Sequence, residues 1–226
     1  MQAFLIGPGL VISLLVFILG MTWRVVWYIR GLDWKLERVA YRPHFKRGIQ
    51  GALHSALRWM LPYGTYGWRS KPFFTLFTFL FHIGVALIPL FLAGHAIILN
   101  STLGISVPTL PQGLADFMVV LAVIALVFLI LRRLTLPEVR ILTTREDWLI
   151  LILAGLPLVT GCFAANHVGG YSFWLTLHMF SGEIMLIAAP FTKLSHIVLF
   201  FMSRGQLGMD FAIKRGGEYR GPAFPW

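Results

Sequence analysis

The 226-residue chain contains little charge and a single cysteine. Only 12% of its residues are charged, whereas soluble domains average about 25%, which argues against a soluble protein. Cys162 cannot form an intramolecular disulfide, and the sequence has neither a C-x-x-C-H motif nor a cysteine cluster. The chain therefore attaches no haem covalently and holds no iron–sulfur cluster of its own. A nucleotide-binding motif and a dithiol site are also missing, and Cys162 is interpreted as a small packed apolar residue.

Apolar residues dominate the chain instead, at 58% of the total. A membrane-spanning helix needs about 20 of them in succession. Five stretches are predicted to span: Ala3–Tyr28, Pro72–Leu99, Phe117–Leu131, Trp148–Ala164 and Phe173–Met202. The sequence therefore predicts an all-α integral membrane bundle of five transmembrane helices. Residues 1–204 would form the membrane domain, and residues 205–226 a cytoplasmic tail.

The basic residues are distributed on one side of the predicted spans. All 19 lysines and arginines lie within residues 24–71, within residues 132–145, or from Lys193 onward. The loops Asn100–Asp116 and Ala165–Ser172 have none. This positive-inside pattern predicts an outer N-terminus and an inner C-terminus. The net charge of +10 therefore does not indicate a nucleic-acid partner, and the absence of a basic residue before the first stretch favours an uncleaved first helix.

An insertion on the predicted inner side, residues 30–71, contains an amphipathic segment. In "FKRGIQGALHSALRWML", apolar residues recur at helical spacing: Ile49, Leu53, Leu57 and Met60. The same segment carries three basic residues: Lys46, Arg47 and Arg58. This pattern predicts an interfacial helix. Two interpretations are open, a helix lying on anionic lipid headgroups and a docking surface for a cytoplasmic partner.

Seven histidines fall into two groups. Three lie in predicted loops and are interpreted as solvent or headgroup contacts: His44, His54 and His167. Four lie in the predicted spans: His82 and His95 in the second, His178 and His196 in the fifth. Ionisable side chains within a membrane are costly and usually mark function. Four of them on two helices call for a common explanation.

The predicted topology places these four histidines at two levels. Because the second span runs outward and the fifth runs inward, His82 and His196 share the inner level, and His95 and His178 share the outer level. Two facing helices can hold a haem through one imidazole each. The sequence therefore predicts two such pairs. Four histidines that only form hydrogen bonds to neighbouring helices are the alternative.

Helical geometry supports paired ligands on the fifth span better than on the second. His178 and His196 are five turns apart and would share one face, where Gly182 and Ala189 leave room for a flat ring. By contrast, an ideal helix places His82 and His95 about 140° apart. A kink at Pro89, with Gly84 and Gly94 nearby, would be needed to align them. One haem, or a substitute ligand, therefore remains an alternative to two.

Two further charged residues of the fifth span are candidates for function. Glu183 lies about 140° around the helix from His178. It is interpreted either as a proton group at an outer quinone site or as a glutamate held between helices. Lys193 is either a contact for a haem propionate or a side chain that reaches the headgroups. Arg204 is interpreted as marking the membrane edge.

The segment "LHMFSGEIMLIAAPFTKLSHIVLFFMSR", from Leu177 to Arg204, resembles the last helix of the gamma subunits of respiratory nitrate reductases. It is also similar to related cytochrome b-like membrane subunits of sulfate-reducing bacteria. The most specific part is Pro190-Phe191-x-Lys193-Leu194-x-His196 after an upstream histidine. The small size and the extended inner loop most resemble the cytochrome b-like subunit of the high-molecular-weight cytochrome c complex.

This resemblance implies two b-type haems, with His82 paired to His196 and His95 to His178. The spacing of the two histidines in the second span is longer than the family pattern. The resemblance also implies electron transfer in the bacterial inner membrane, with menaquinone or with partner subunits. We expect other membrane subunits, a periplasmic multihaem cytochrome c outside and a cytoplasmic iron–sulfur protein inside, so the chain would not be catalytic on its own.

Two other classes of function are open. A proton or ion transporter would use the intramembrane histidines and Glu183 as a relay, but the chain lacks the paired half-helices or inverted repeat typical of transporters. A membrane anchor without a cofactor would need no histidine pairs.

Overall fold

The computed structural model describes residues 1–32 and 44–214, and no strand occurs among them. The helices of these residues are, in chain order, α1 (Gln2–Gly31), α2 (Phe45–Met60), α3 (Tyr66–Ser70), α4 (Pro72–Phe91), α5 (Ala93–Leu103), α6 (Gln112–Thr135), α7 (Pro137–Leu142), α8 (Arg145–Ala165), α9 (Tyr171–Phe191) and α10 (His196–Lys214). Short loops and turns connect α2 through α10.

Five of the helices are long and apolar enough to cross a membrane, namely α1, α4, α6, α8 and α9. Only 11% to 28% of their most apolar segments is buried inside the chain. Most of their apolar side chains therefore face outward, as helices in contact with lipid require. The predicted all-α bundle with five transmembrane helices is confirmed, while the orientation of its termini remains a prediction.

Local signals in the sequence fix where α8 begins. The Thr144 hydroxyl accepts a hydrogen bond from the backbone N–H of Asp147, and the Asp147 carboxylate accepts one from the backbone N–H of Thr144. This capping box satisfies donors that the first turn of a helix leaves without partners. It separates α8 from α7, which starts at Pro137.

The second apolar stretch is interrupted, so the single span predicted for Pro72–Leu99 is wrong. Helix α4 passes into a π turn after His82 and ends in a 3₁₀ turn that contains Pro89. Leu92 is extended, with φ −73° and ψ 135°, and α5 begins at the next residue. The predicted kink near Pro89 is therefore confirmed. Because His95 lies on α5, the argument from ideal helical phase does not apply to it.

The fifth apolar stretch is also interrupted, which contradicts the predicted helix Phe173–Met202. Helix α9 ends in a 3₁₀ turn at Pro190, which has no N–H to continue a helix. Thr192 is extended, and α10 starts at His196. The shared face predicted for His178 and His196 is therefore wrong. Helix α10 also runs to Lys214, so the first part of the predicted tail is helical, and residues 215–226 lie outside the described chain.

The chain divides into two compact units, and residues 1–18 and 76–192 form the first. Its buried core is made by residues from three helices: Phe81, Ala125, Leu126, Leu151 and Ala154. Small residues allow close packing here, because a Cβ on Gly84 would lie 2.1 Å from the Cβ of Ala122. These contacts position α4, α6 and α8 around the elements that carry His95 and His178.

The second unit contains residues 19–75 and everything from Lys193 onward, with residues 33–43 and 215–226 outside the description. The predicted amphipathic helix is confirmed as α2. Its small residues pack on α10, and a Cβ on Gly51 would lie 2.3 Å from the carbonyl oxygen of Gly208. Its larger apolar side chains are exposed: Ile49, Leu53, Leu57 and Met60. Both interpretations of that exposed face, lipid contact and partner docking, remain open.

The variant Gly51→Ala is expected to destabilise the packing of α2 on α10. The added methyl cannot fit beside the Gly208 carbonyl, so the helices must separate, at a cost of about 1–3 kcal/mol. Unfolding of the purified protein in detergent measures this loss. Gly205→Ala is the matched control, because nothing lies within 4 Å of a Cβ at that position of α10. Equal stability of the two variants would contradict the proposed packing.

Candidate functional site

Two histidine rings of the first unit face each other through their Nε2 atoms. The Nε2 atoms of His95 and His178 are 3.4 Å apart. The ring centroids are 5.7 Å apart, and the ring planes differ by only 3°. The centroid separation exceeds the Nε2 separation by about two ring radii, so the rings meet end to end and not face to face. The pair predicted at the outer level is thus brought together.

The break before α5 positions His95. A regular helix through Pro89 would use its carbonyl oxygen as the acceptor for the backbone N–H four residues later. The chain turns extended at Leu92. The Nδ1 of His95 instead lies 2.7 Å from the Pro89 oxygen. The histidine side chain thereby satisfies a carbonyl that the break leaves open.

Helix α8 positions His178. Its Nδ1 lies 2.9 Å from the carbonyl oxygen of Pro157, a residue inside α8. One turn further along α8, a Cβ on Gly161 would lie 2.9 Å from both Cε1 and Nδ1 of the ring. The absence of a side chain at Gly161 is therefore what lets the imidazole lie against α8.

These two contacts determine which ring nitrogens carry protons. A carbonyl oxygen only accepts hydrogen bonds, so Nδ1 is the protonated nitrogen in both rings. In neutral imidazoles each Nε2 then presents a lone pair to the other ring. Two lone pairs at 3.4 Å repel unless a cation lies between them. One cation shared by the two Nε2 atoms would remove this repulsion. A metal ion at about 2.0 Å from each nitrogen would require the Nε2 atoms to lie about 4 Å apart, slightly further than they do here.

The two histidines predicted at the inner level also form a hydrogen bond from Nδ1 to a backbone carbonyl. The Nδ1 of His82 lies 2.8 Å from the carbonyl oxygen of Thr78, and the Nδ1 of His196 lies 2.9 Å from that of Lys193. Both rings thus present Nε2 as the basic nitrogen. His82 belongs to the first unit and His196 to the second, so their pairing remains a prediction. The same holds for the predicted contact between the Lys193 ammonium and a propionate.

The number of ligands decides which metal centre this site suits. No group of three or more His, Cys, Asp or Glu side chains able to hold a metal occurs in residues 1–32 and 44–214. Zinc sites use three or four protein ligands, so a pair of imidazoles is too few for zinc. Haem iron needs only axial ligands from the protein, because the porphyrin supplies the others. A pair of imidazoles matches the number of axial ligands that haem takes from a protein. A Cβ on Gly182, one turn after His178, would have no neighbour within 4 Å, so α9 leaves open space at that turn.

Glu183 lies on α9 beside the start of α1, within the first unit. A Cβ on Gly9 would lie 2.8 Å and 3.0 Å from the two carboxylate oxygens of Glu183. Gly9 closes a π turn, Leu5–Gly9, that also contains Pro8. The glycine makes room for the carboxylate at this turn. The proton or quinone role predicted for Glu183 remains a prediction.

Several residues of the site were missed by sequence reasoning. Pro89 was predicted to cause a kink, but its role as a hydrogen-bond acceptor for His95 was not foreseen. Pro157 and Gly161 were not singled out at all. A proline inside an apolar span followed by a glycine one turn later is a weak signal, because such residues are common in transmembrane helices.

The fold and the site define a multi-pass α-helical membrane protein with a pair of facing imidazoles. A protein of Nitratidesulfovibrio vulgaris strain Hildenborough is 64% identical over 226 residues, which cover 100% of both chains. The chain therefore belongs to the same family as that protein. The relative is described only as "Protein", so membership assigns no activity. No family model matches the chain, and no solved structure matches it. The resemblance to nitrate reductase gamma subunits remains a prediction.

The variant Gly161→Ala is expected to displace the His178 ring from α8. Its methyl would occupy the space of Cε1 and Nδ1, so the bond to Pro157 breaks or α8 and α9 separate, at a cost of about 1–3 kcal/mol. Denaturation in detergent measures the stability, and ¹⁵N spectra of labelled histidine follow the Nδ1 proton. Gly113→Ala is the control, since nothing lies within 4 Å of a Cβ there. Unchanged spectra and stability would contradict this account of the ring's position.

Proposed function

We propose that the protein is a transmembrane electron-transfer subunit of a respiratory redox complex, in which His95 and His178 are the axial ligands of a b-type haem. The observation that carries this proposal is the facing pair of Nε2 atoms, 3.4 Å apart. Both atoms are the basic nitrogens of their rings, and both rings are fixed by backbone carbonyls. Histidine ligands of metal centres are commonly oriented in this way through their second ring nitrogen.

The proposal includes a second haem, held at the inner level by His82 and His196. The same Nδ1–carbonyl contact at both residues supports it. If only one haem binds, the outer pair is the better candidate, because its two rings already meet.

A bound haem supplies one-electron chemistry, and the chain's own residues would control it. The carbonyls of Pro89 and Pro157 would hold the orientation of the imidazoles and keep Nε2 as the ligand atom. The apolar helices around the site exclude water, which influences the reduction potential. Gly161 keeps one ring against α8, so that its Nε2 points at the opposite ring.

The proposed partners follow from what the chain does not contain. With no cysteine cluster and no nucleotide motif, both ends of the electron path belong to other groups. We propose a periplasmic multihaem cytochrome c or menaquinone on the outer side, and a cytoplasmic iron–sulfur protein on the inner side. Glu183 would exchange protons at an outer quinone site, and the membrane would be the bacterial inner membrane.

The reduced-minus-oxidised absorption spectrum of the purified full-length protein tests this proposal. It is expected to contain b-type haem bands, split if two haems bind. His95→Ala or His178→Ala is expected to remove one haem per chain, because each deletes one of only two protein ligands. Haem is quantified per inserted protein, so that reduced expression does not count as haem loss.

His44→Ala serves as the matched control for haem content. His44 is exposed and lies outside the spans, so its replacement should leave the spectrum unchanged. A colourless wild-type protein would overturn the electron-transfer proposal. Full haem content in both His95→Ala and His178→Ala would refute the ligand assignment.

A further inference from the structure

The second unit contains a pocket along one face of α10. Its volume is about 330 Å³. His196 and Arg204 lie two turns apart on α10, and Trp59 of α2 and Tyr28 of α1 also line the pocket. The remaining lining residues are Leu199, Phe200 and Ser203. The pocket is thus mainly apolar and aromatic, with one permanent cation.

That cation has no anionic partner among residues 1–32 and 44–214. The guanidinium carbon of Arg204 lies 4.2 Å from the centre of the Trp59 ring. This cation–π contact offers electron density but no hydrogen-bond acceptor. Arginine carries five N–H donors and stays charged at all physiological pH values. A guanidinium in apolar surroundings is normally paired with an anion, because desolvating an unpaired charge is costly.

Trp59 contributes a second donor without an acceptor. Its indole Nε1 is buried and has no hydrogen-bond partner in the described chain. Native proteins seldom leave a buried donor in this condition. Both hydroxyl groups of the pocket have hydrogen-bond partners. The Tyr28 hydroxyl donates to the Gln206 side-chain oxygen, and the Ser203 hydroxyl donates to the Phe200 carbonyl. The donors of this pocket that lack an acceptor among the described residues are therefore those of Trp59 and Arg204.

We infer that this pocket binds an anionic oxygen group, a carboxylate or a phosphate, through Arg204 with assistance from Trp59. The flat fork of the guanidinium matches two oxygens of either group. The indole N–H would add a hydrogen bond once the side chains that cover it move aside. Arg204 is thus a binding residue, and not only a marker of the membrane edge.

Two sources can supply such a group at this position. One is a propionate of the haem that His196 is proposed to hold, which rests on the proposed function. The other is the phosphate of an anionic phospholipid, which does not. Both share the chemistry that the pocket recognises, and the two are separated by whether the haem responds to the loss of Arg204.

The test compares full-length wild type, Arg204→Gln and Arg204→Lys. Arg140→Gln is the control, because Arg140 is an exposed arginine on α7, outside the pocket. If the anion is a propionate, removing the positive charge favours the oxidised haem. Arg204→Gln is expected to shift the reduction equilibrium of one haem by about tenfold, or about 59 mV for one electron. Arg204→Lys, which keeps the charge, should shift it less.

If the anion belongs to a phospholipid, the haem potentials should stay constant in Arg204→Gln. Native mass spectrometry then measures how much lipid the protein retains. Phosphatidylglycerol added to the detergent-purified protein should be retained by wild type and lost from Arg204→Gln by about tenfold, in line with a charge-assisted pair. Trp59→Phe, which keeps an aromatic ring under the guanidinium but deletes the N–H, should change the same readout in the same direction but less.

The outcomes distinguish this inference from the proposed function. A colourless protein that loses phosphatidylglycerol in Arg204→Gln would refute the haem proposal and support the pocket. A haem protein in which Arg204→Gln alters neither the potentials nor lipid retention, relative to Arg140→Gln, would overturn the pocket inference and leave the haem proposal standing.

Discussion

The rest of the candidate site depends on one constraint, that a backbone carbonyl inside hydrocarbon must find a donor within the protein. Both stretches that carry the histidines are broken at a proline, and a break interrupts the regular hydrogen bonds of a helix. Histidine side chains satisfy carbonyls beside these breaks, as His95 does for Pro89 and His196 for Lys193. At both breaks the interruption of the helix and the orientation of the imidazole therefore occur together.

This constraint determines the chemistry of the rings. A histidine that donates from Nδ1 to a carbonyl has only Nε2 left as a base. His95 and His178 are two such rings, and their Nε2 atoms face each other at 3.4 Å because each Nδ1 is fixed by a carbonyl. This arrangement of the two rings is the geometry on which the proposed two-imidazole centre rests. Gly161 supports the same arrangement, since a side chain there would move one ring away.

Composition and charge alone predicted the class of the fold, because five apolar stretches in a weakly charged chain have few alternatives to a transmembrane bundle. The approach of His95 to His178 was also predictable from topology, whereas the side of the membrane on which they lie stays a prediction. The helix breaks were predicted only in part. A kink was predicted at Pro89, but the stretch around Pro190 was predicted to be one continuous helix. Periodicity alone did not reveal this, since apolar runs lie on both sides of the short segment Thr192–His196. The acceptor role of Pro157 depends on contact between two helices, which no local pattern in α8 or α9 encodes.

The two broken stretches use a similar local arrangement at different places in the chain. In "PLFLAGH" and "PFTKLSH" a proline in a 3₁₀ turn precedes a histidine by six residues. An extended residue lies between them, and each histidine donates from Nδ1 to a carbonyl of its own segment. The acceptor differs, since His95 reaches back past the break to Pro89, whereas His196 binds Lys193 after it. A similar sequence device thus fixes the same ring nitrogen in both units. This recurrence leaves Nε2 as the unprotonated nitrogen of both rings, and the proposed ligand positions share that feature.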